Sequence, residues 1–146
     1  MTNETTYLYV IHPPNRVFTG MAKEAITAGS FVKVSDNDDS VSATSGYAPD
    51  NVYIYSCDAA GDDQFCVGIA LIDAASGAYV SVALDGVFVV KSSGDISAGI
   101  AVQQDDSGNS PAGVKATVDT EEEYTIGKSL TSASADGKYL VVALNI

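Results

Sequence analysis

The sequence predicts an all-β protein, a small β-barrel or sandwich built from two pseudo-repeats, with at most one or two short helical turns. Three observations carry that prediction. Val, Ala, Ser, Thr, Gly, Asp and Tyr dominate the 146 residues while Leu, Glu, Lys, Arg and Gln are scarce, a vocabulary of strands and turns. The second half of the chain repeats the first in order. Turn residues fall at corresponding places in the two halves.

The repeat sets the order of elements. Residues 1–15 precede it as an N-terminal arm or first strand. Residues 1–6 are polar and suit a flexible arm, whereas Tyr7-Leu-Tyr-Val-Ile11 reads equally as a first core strand or as apolar anchors. His12-Pro13-Pro14 fixes an extended stretch, which places the single histidine in a surface linker rather than a catalytic triad. Laying 16–40 over 86–110 then brings Val17-Phe18 onto Val87-Phe88, Ile26 onto Ile96, Ala28-Gly29 onto Ala98-Gly99 and Val32 onto Val102.

A second match follows after a length difference. Val67-Gly-Ile-Ala-Leu71 resembles Ile126-Gly-Lys-Ser-Leu130, and Gly77-Ala-Tyr-Val-Ser-Val-Ala-Leu-Asp85 resembles Gly137-Lys-Tyr-Leu-Val-Val-Ala-Leu-Asn145. The extra length of the first copy falls within about 41–65, where Asn51-Val-Tyr-Ile-Tyr-Ser-Cys57 alternates like an additional strand and reads as an inserted hairpin. Its tyrosines, two apart, share one face. Gly29, Gly99, Gly77 and Gly137 are the candidate turn glycines, placed where positive φ is cheap. Residues 73–77 and 132–137 read as short helical turns or wide loops. Neither half has enough strands to bury a face alone. The expectation is therefore one β domain over 16–146, with repeat one at 16–85 and repeat two at 86–146.

Charge and motifs narrow the function. The formal net charge is −12, which repels phosphate backbones and anionic lipid, so neither a nucleic acid nor a membrane is an expected partner. Acidity of this degree keeps an abundant protein soluble; it also suits salt adaptation or docking on a basic partner. The opening Met-Thr-Asn-Glu is unlike a secretory leader, and no apolar run reaches the length of a membrane span, so synthesis as a soluble cytosolic product is expected. No Gly-x-Ser-x-Gly elbow, phosphate loop or dinucleotide fingerprint is present. The acidic clusters at 36–39, 62–63, 105–106 and 121–123 lack the spacing of a calcium loop and read as solvated turns. No enzyme activity, cofactor or metal is expected. Cys57 and Cys66 close a short Asp- and Gly-rich loop. They are either a disulfide across a hairpin or two reduced, partly buried thiols, and cytosolic synthesis favours the thiols.

One resemblance joins these features. Gly86-Val-Phe-Val-Val-Lys91, Ile96-Ser-Ala-Gly99-Ile-Ala-Val102-Gln-Gln-Asp105-Asp106, Ile126-Gly127 and the closing Tyr139-Leu-Val-Val-Ala-Leu-Asn145 are similar to the bacteriophage capsid cement (head decoration) family. The first half resembles that family's N-terminal part through Ile26-Thr-Ala-Gly29, Val67-Gly-Ile-Ala-Leu71 and Val80-Ser-Val-Ala-Leu-Asp-Gly86. The chain departs from the pattern at Gln103-Gln104, where the family often has an aromatic pair, and in the insertion at 41–65. The resemblance implies a structural virion protein of a tailed virus, a homotrimer that binds the major capsid protein on the capsid exterior and stabilises the shell. Residues 1–18 are then the expected capsid-contacting arm, with Tyr7, Tyr9 and Phe18 as its anchors. The alternative is a β-barrel binding or adhesion module of fibre type for a glycan or cell-surface ligand, carried by Tyr47, Tyr53 and Tyr55.

Overall fold

The structure, a computed structural model, describes residues 9–34, 52–57, 65–105, 113–117 and 119–145. Eleven strands organise them: β1 (Tyr9–His12), β2 (Val17–Ala22), β3 (Phe31–Val34), β4 (Tyr53–Ser56), β5 (Gly68–Ala70), β6 (Tyr79–Ala83), β7 (Asp85–Lys91), β8 (Ala101–Asp105), β9 (Gly113–Ala116), β10 (Thr125–Ser129) and β11 (Tyr139–Asn145). A 3-10 helix, Asp119–Tyr124, leads into β10. No α-helix occurs among the described residues, and 73–77 and 132–137 are turns. The all-β expectation holds.

Strands β2-β4-β3-β5-β6 form a closed barrel, while β1-β7-β11-β10-β8-β9 form a six-stranded sheet. The two are built alike, pairing by pairing. Val17 faces Ala83 and Met21 faces Tyr79 between β2 and β6; Val87 faces Ala143 and Lys91 faces Tyr139 between β7 and β11. Val32 faces Gly68 between β3 and β5, as Val102 faces Gly127 between β8 and β10. The barrel closes where β2 runs parallel to β4, with Ala22 opposite Ile54. The six-stranded sheet has a parallel bridge at the corresponding place, Ser92 opposite Val114, and the amides that seal the two closures correspond: Lys23 N to Ile54 O at 3.0 Å and Ser93 N to Val114 O at 2.7 Å.

β4 was expected as an addition to the first copy, but it has a counterpart. Val34 pairs with Ile54 across β3 and β4, as Gln104 pairs with Val114 across β8 and β9. The connection from Val34 to Ile54 is the longer of the two by ten residues, and that surplus belongs to residues 35–51, outside the described ones. Most of the hairpin expected at 41–65 lies outside them too. Among the described residues, what the second unit has alone is β1, paired to the open edge of β7 with Val10 opposite Phe88.

The core follows the same duplication. Ala22, Ile26, Val32, Ile54, Ala70, Ala74, Val80 and Val82 fill the first barrel. Their counterparts Ser92, Ile96, Val102, Val114, Ser129, Ala133, Leu140 and Val142 are all buried in the second unit. Two alanines are thus replaced by serines, and a buried hydroxyl needs a partner. Ser129 Oγ donates to Ser97 O at 2.7 Å, and Ser92 Oγ donates to Gly94 O, so each is satisfied by the turn beside it.

A second apolar cluster runs from that interior to Phe31, Cys57, Cys66, Ile69 and Ala83 of the first unit. Phe31, Ile69 and Ala83 lie side by side across β3, β5 and β6. Their counterparts, Ala101, Lys128 and Ala143, are half-buried or exposed. The outer face of the first unit is therefore bulkier and more apolar, with Phe31 and Ile69 where the second has Ala101 and Lys128, and it is this face that joins the units. Gln104 of β8 adds a polar tie, its Nε2 donating to Cys57 O at 3.3 Å. The ring of Phe65 lies 4.8 Å from that of Tyr124, the residue at its own corresponding position in the second copy.

Candidate interaction surface

β1 forms because Tyr-Val-Ile-His is rich in β-favouring side chains and β7 offers it an unpaired edge. As the outermost strand it has, among the described residues, one side of its backbone unpaired within the sheet. A β-bulge falls between Val10 and His12, so Ile11 has no Cα partner on β7, and both Val10 and Ile11 are exposed, Ile11 by 61%. Residues 9–12 are thus a strand, and one whose aliphatic side chains stay out of the core. Exposed apolar groups on an open edge are the usual material of a protein contact.

The chain leaving β1 is fastened at one point. His12 Nδ1 lies 3.1 Å from Pro13 O, and the ring is exposed. Beyond the two prolines, Asp85 Oδ1 accepts the amides of Asn15 at 2.7 Å and Arg16 at 3.0 Å. Its Oδ2 lies 3.3 Å from Arg16 Nε, and Arg16 Nη2 reaches Asn145 Oδ1 at 3.5 Å. The Arg16 amide bond, chiefly, holds the Asp85 carboxyl below its ordinary value of 3.8; the Asn15 amide and the Arg16 guanidinium act in the same direction against desolvation. The base of the N-terminal segment is thereby fixed to the start of β7 and the end of β11.

The residues expected to anchor the arm fall in different surroundings. Tyr7 lies outside the described residues, and Tyr9 begins β1. Phe18 is half-buried in β2 and packs against the interior cluster of the first barrel. Tyr53 and Tyr55 share a half-buried face of β4 while Ile54 and Ser56 are buried, as the alternation predicts. Lys23 Nζ sits 4.3 Å from the Tyr53 ring centre; Tyr47 is outside the described residues.

The four turn glycines have positive φ: 90° at Gly29, 85° at Gly99, 89° at Gly77 and 80° at Gly137. At Gly77, Gly99 and Gly137 a Cβ would meet nothing within 4 Å. Conformation therefore requires glycine there, and these residues shape turns without forming a site. Cys57 and Cys66 are brought together, Sγ to Sγ 2.7 Å, and both are buried. Among the exposed aromatics, which include Phe65, Tyr79 and Tyr139 head β6 and β11 at corresponding positions and are 60% and 64% exposed. The Tyr-led strands were legible as a repeat, but exposure at their first residue was not, because a strand's outward face looks the same in sequence whether solvent or a neighbour covers it. No group of three or more metal-ligating side chains occurs among the described residues.

Comparison with known proteins agrees with this architecture. A family model described as phage cement protein matches residues 12–146, which include β2 through β11 entire. Among solved structures, the N base of head fiber gp8.5 of bacteriophage phi29 is similar in fold, with a TM-score of 0.57 and 19% identity over 89% of this chain and 93% of that one. No curated protein matches the chain in sequence. The chain belongs to the phage cement protein family and is thus a capsid-associated structural protein of a phage.

Proposed function

We propose that the protein is a decoration protein of a tailed phage that binds the outside of the assembled head and stabilises it. The family match over nearly the whole chain carries this reading. The partner is the major capsid protein, and the working unit is a homotrimer made in the host cytoplasm. The chain is read as one β domain over 16–146, its repeats at 16–85 and 86–146 joined through the Phe31, Ile69 and Ala83 face. No enzymatic role is assigned.

The contact is read at the N-terminal arm, with Tyr7 and Tyr9 joined by Val10 and Ile11. Support comes from the open edge of β1, the exposure of its aliphatic side chains and the fastening of its base at Asp85. The family match begins at residue 12, so the arm rests on the structure alone. With a net charge of −12, a basic patch on the shell would steer docking and make it sensitive to salt.

Co-sedimentation with heads that lack the protein, together with its mass in solution, tests the reading. Saturable binding at many copies per head by a trimer is the expected result. A monomer that leaves heads bare would overturn it.

A further inference from the structure

The geometry points to Cys57 and Cys66 as a redox site that closes to an intramolecular disulfide on oxidation, stapling β4 to β5 where the two units join. Cys57 follows β4 directly and Cys66 stands two residues before β5. Those strands flank β3 on either side. The sulfurs are 2.7 Å apart, and a small movement brings them to the bonding distance of about 2.05 Å.

The second unit gives independent support. Thr117 follows β9 as Cys57 follows β4, and Thr125 stands two residues before Gly127 as Cys66 does before Gly68. Thr125 Oγ1 donates to Thr117 Oγ1 at 3.2 Å. The fold therefore brings two side chains into contact at this place in both units, and in the first unit both carry sulfur. Proximity comes from the architecture rather than from chance packing of two thiols.

Position gives the bond a consequence. Both sulfurs lie in the apolar cluster that continues into the second unit, and the Cys57 carbonyl accepts from Gln104 of β8. A covalent link here fixes the seam between the units as well as the loop between the cysteines.

The reaction balances with a small disulfide such as oxidised glutathione. Both cysteines are buried, and Cys66, 7% exposed against 0% for Cys57, is the less buried of the two and is taken as the sulfur that reacts first when the site opens. Its thiolate attacks the reagent, forming a mixed disulfide and releasing one glutathione thiol. The Cys57 thiolate then attacks Cys66 Sγ, forming the internal bond and releasing the second. Two protein thiols lose two electrons and two protons, and the reagent gains them.

The test takes the full chain, purified under reductant, then exposed to oxidised glutathione without denaturant. The expected product has lost two hydrogens in intact mass, retains no glutathione and resists alkylation. Its Tm rises by about 3–8 °C and returns under reductant. Exchanging the pair for the one the second unit uses, Cys57→Thr with Cys66→Thr, should abolish the redox-dependent shift. Two alkylatable thiols after oxidation, a persistent glutathione adduct or disulfide-linked dimers would overturn the inference, and each is read on the native sequence even if the double variant misfolds.

Discussion

Gly68 and Gly127 show how far a single atom decides the pairing of these strands. A Cβ at Gly127 would lie 2.1 Å from Ala143 O, and one at Gly68 would lie 2.3 Å from Ala83 O. Backbone cannot yield as a side-chain tip can, so Gly127→Ala must push β10 and β11 apart. We expect a loss of about 1–3 kcal/mol in urea unfolding. Gly137→Ala meets no atom and carries only the strain of φ 80°, with an expected loss of about 1 kcal/mol. Equal losses at the two sites would contradict this division. Asp85 makes a prediction in pH. Its carboxyl is held below 3.8 by the amides it accepts, so its stabilisation is complete above that value and disappears as pH falls through the lower folded value. Asp85→Asn should therefore lower Tm at pH 7, and the difference from the native chain should shrink as the carboxyl is protonated in acid. A gap that persists in acid would mean that the contact acts through shape rather than charge.

At the scale of elements, β4 and β9 mark the boundary of what the sequence made legible. Tyr53-Ile-Tyr-Ser56 alternates strongly enough to be read as a strand, and its tyrosines share the face expected of them. Gly113-Val-Lys-Ala116 does not, so its partner looked like an insertion. The reason is physical: Gly113 approaches Lys91 O so closely that a Cβ would lie 2.5 Å away, and the glycine that permits this closure erases the strand signal. Turn glycines and the Tyr-led strands were legible because positive φ and apolar alternation leave direct traces. Burial of Phe18 against the first core was not, since Val17-Phe18 carries no sign of which neighbour covers it. The candidate contact surface was legible only as a segment; that Val10 and Ile11 both face solvent needed the edge position of β1. Ile11→Asp follows from that position. It should leave Tm nearly unchanged, within about 0.5 kcal/mol, while lowering occupancy on heads. Unchanged occupancy would move the contact away from β1, towards Tyr79 and Tyr139.

For the whole molecule, duplication followed by divergence accounts for two units of matching register that share one apolar cluster. Matching registers give both units the same strand plan, and two substituted positions on the outer face, Phe31 and Ile69 where the second unit has Ala101 and Lys128, make the first unit adhesive beside the alanine both share at Ala83 and Ala143. A rigid unit suits a clamp, because every degree of freedom lost on binding lowers affinity. Binding to the assembled shell in preference to its parts stabilises the shell by mass action, about 2.7 kcal/mol per site at a hundredfold excess over Kd. Summed over many sites, that should be visible in the shell itself. The most direct test is the temperature at which heads release their DNA, measured with and without saturating protein. The account predicts a rise that follows occupancy and is weakened by Ile11→Asp. An unchanged release temperature on fully occupied heads would contradict it.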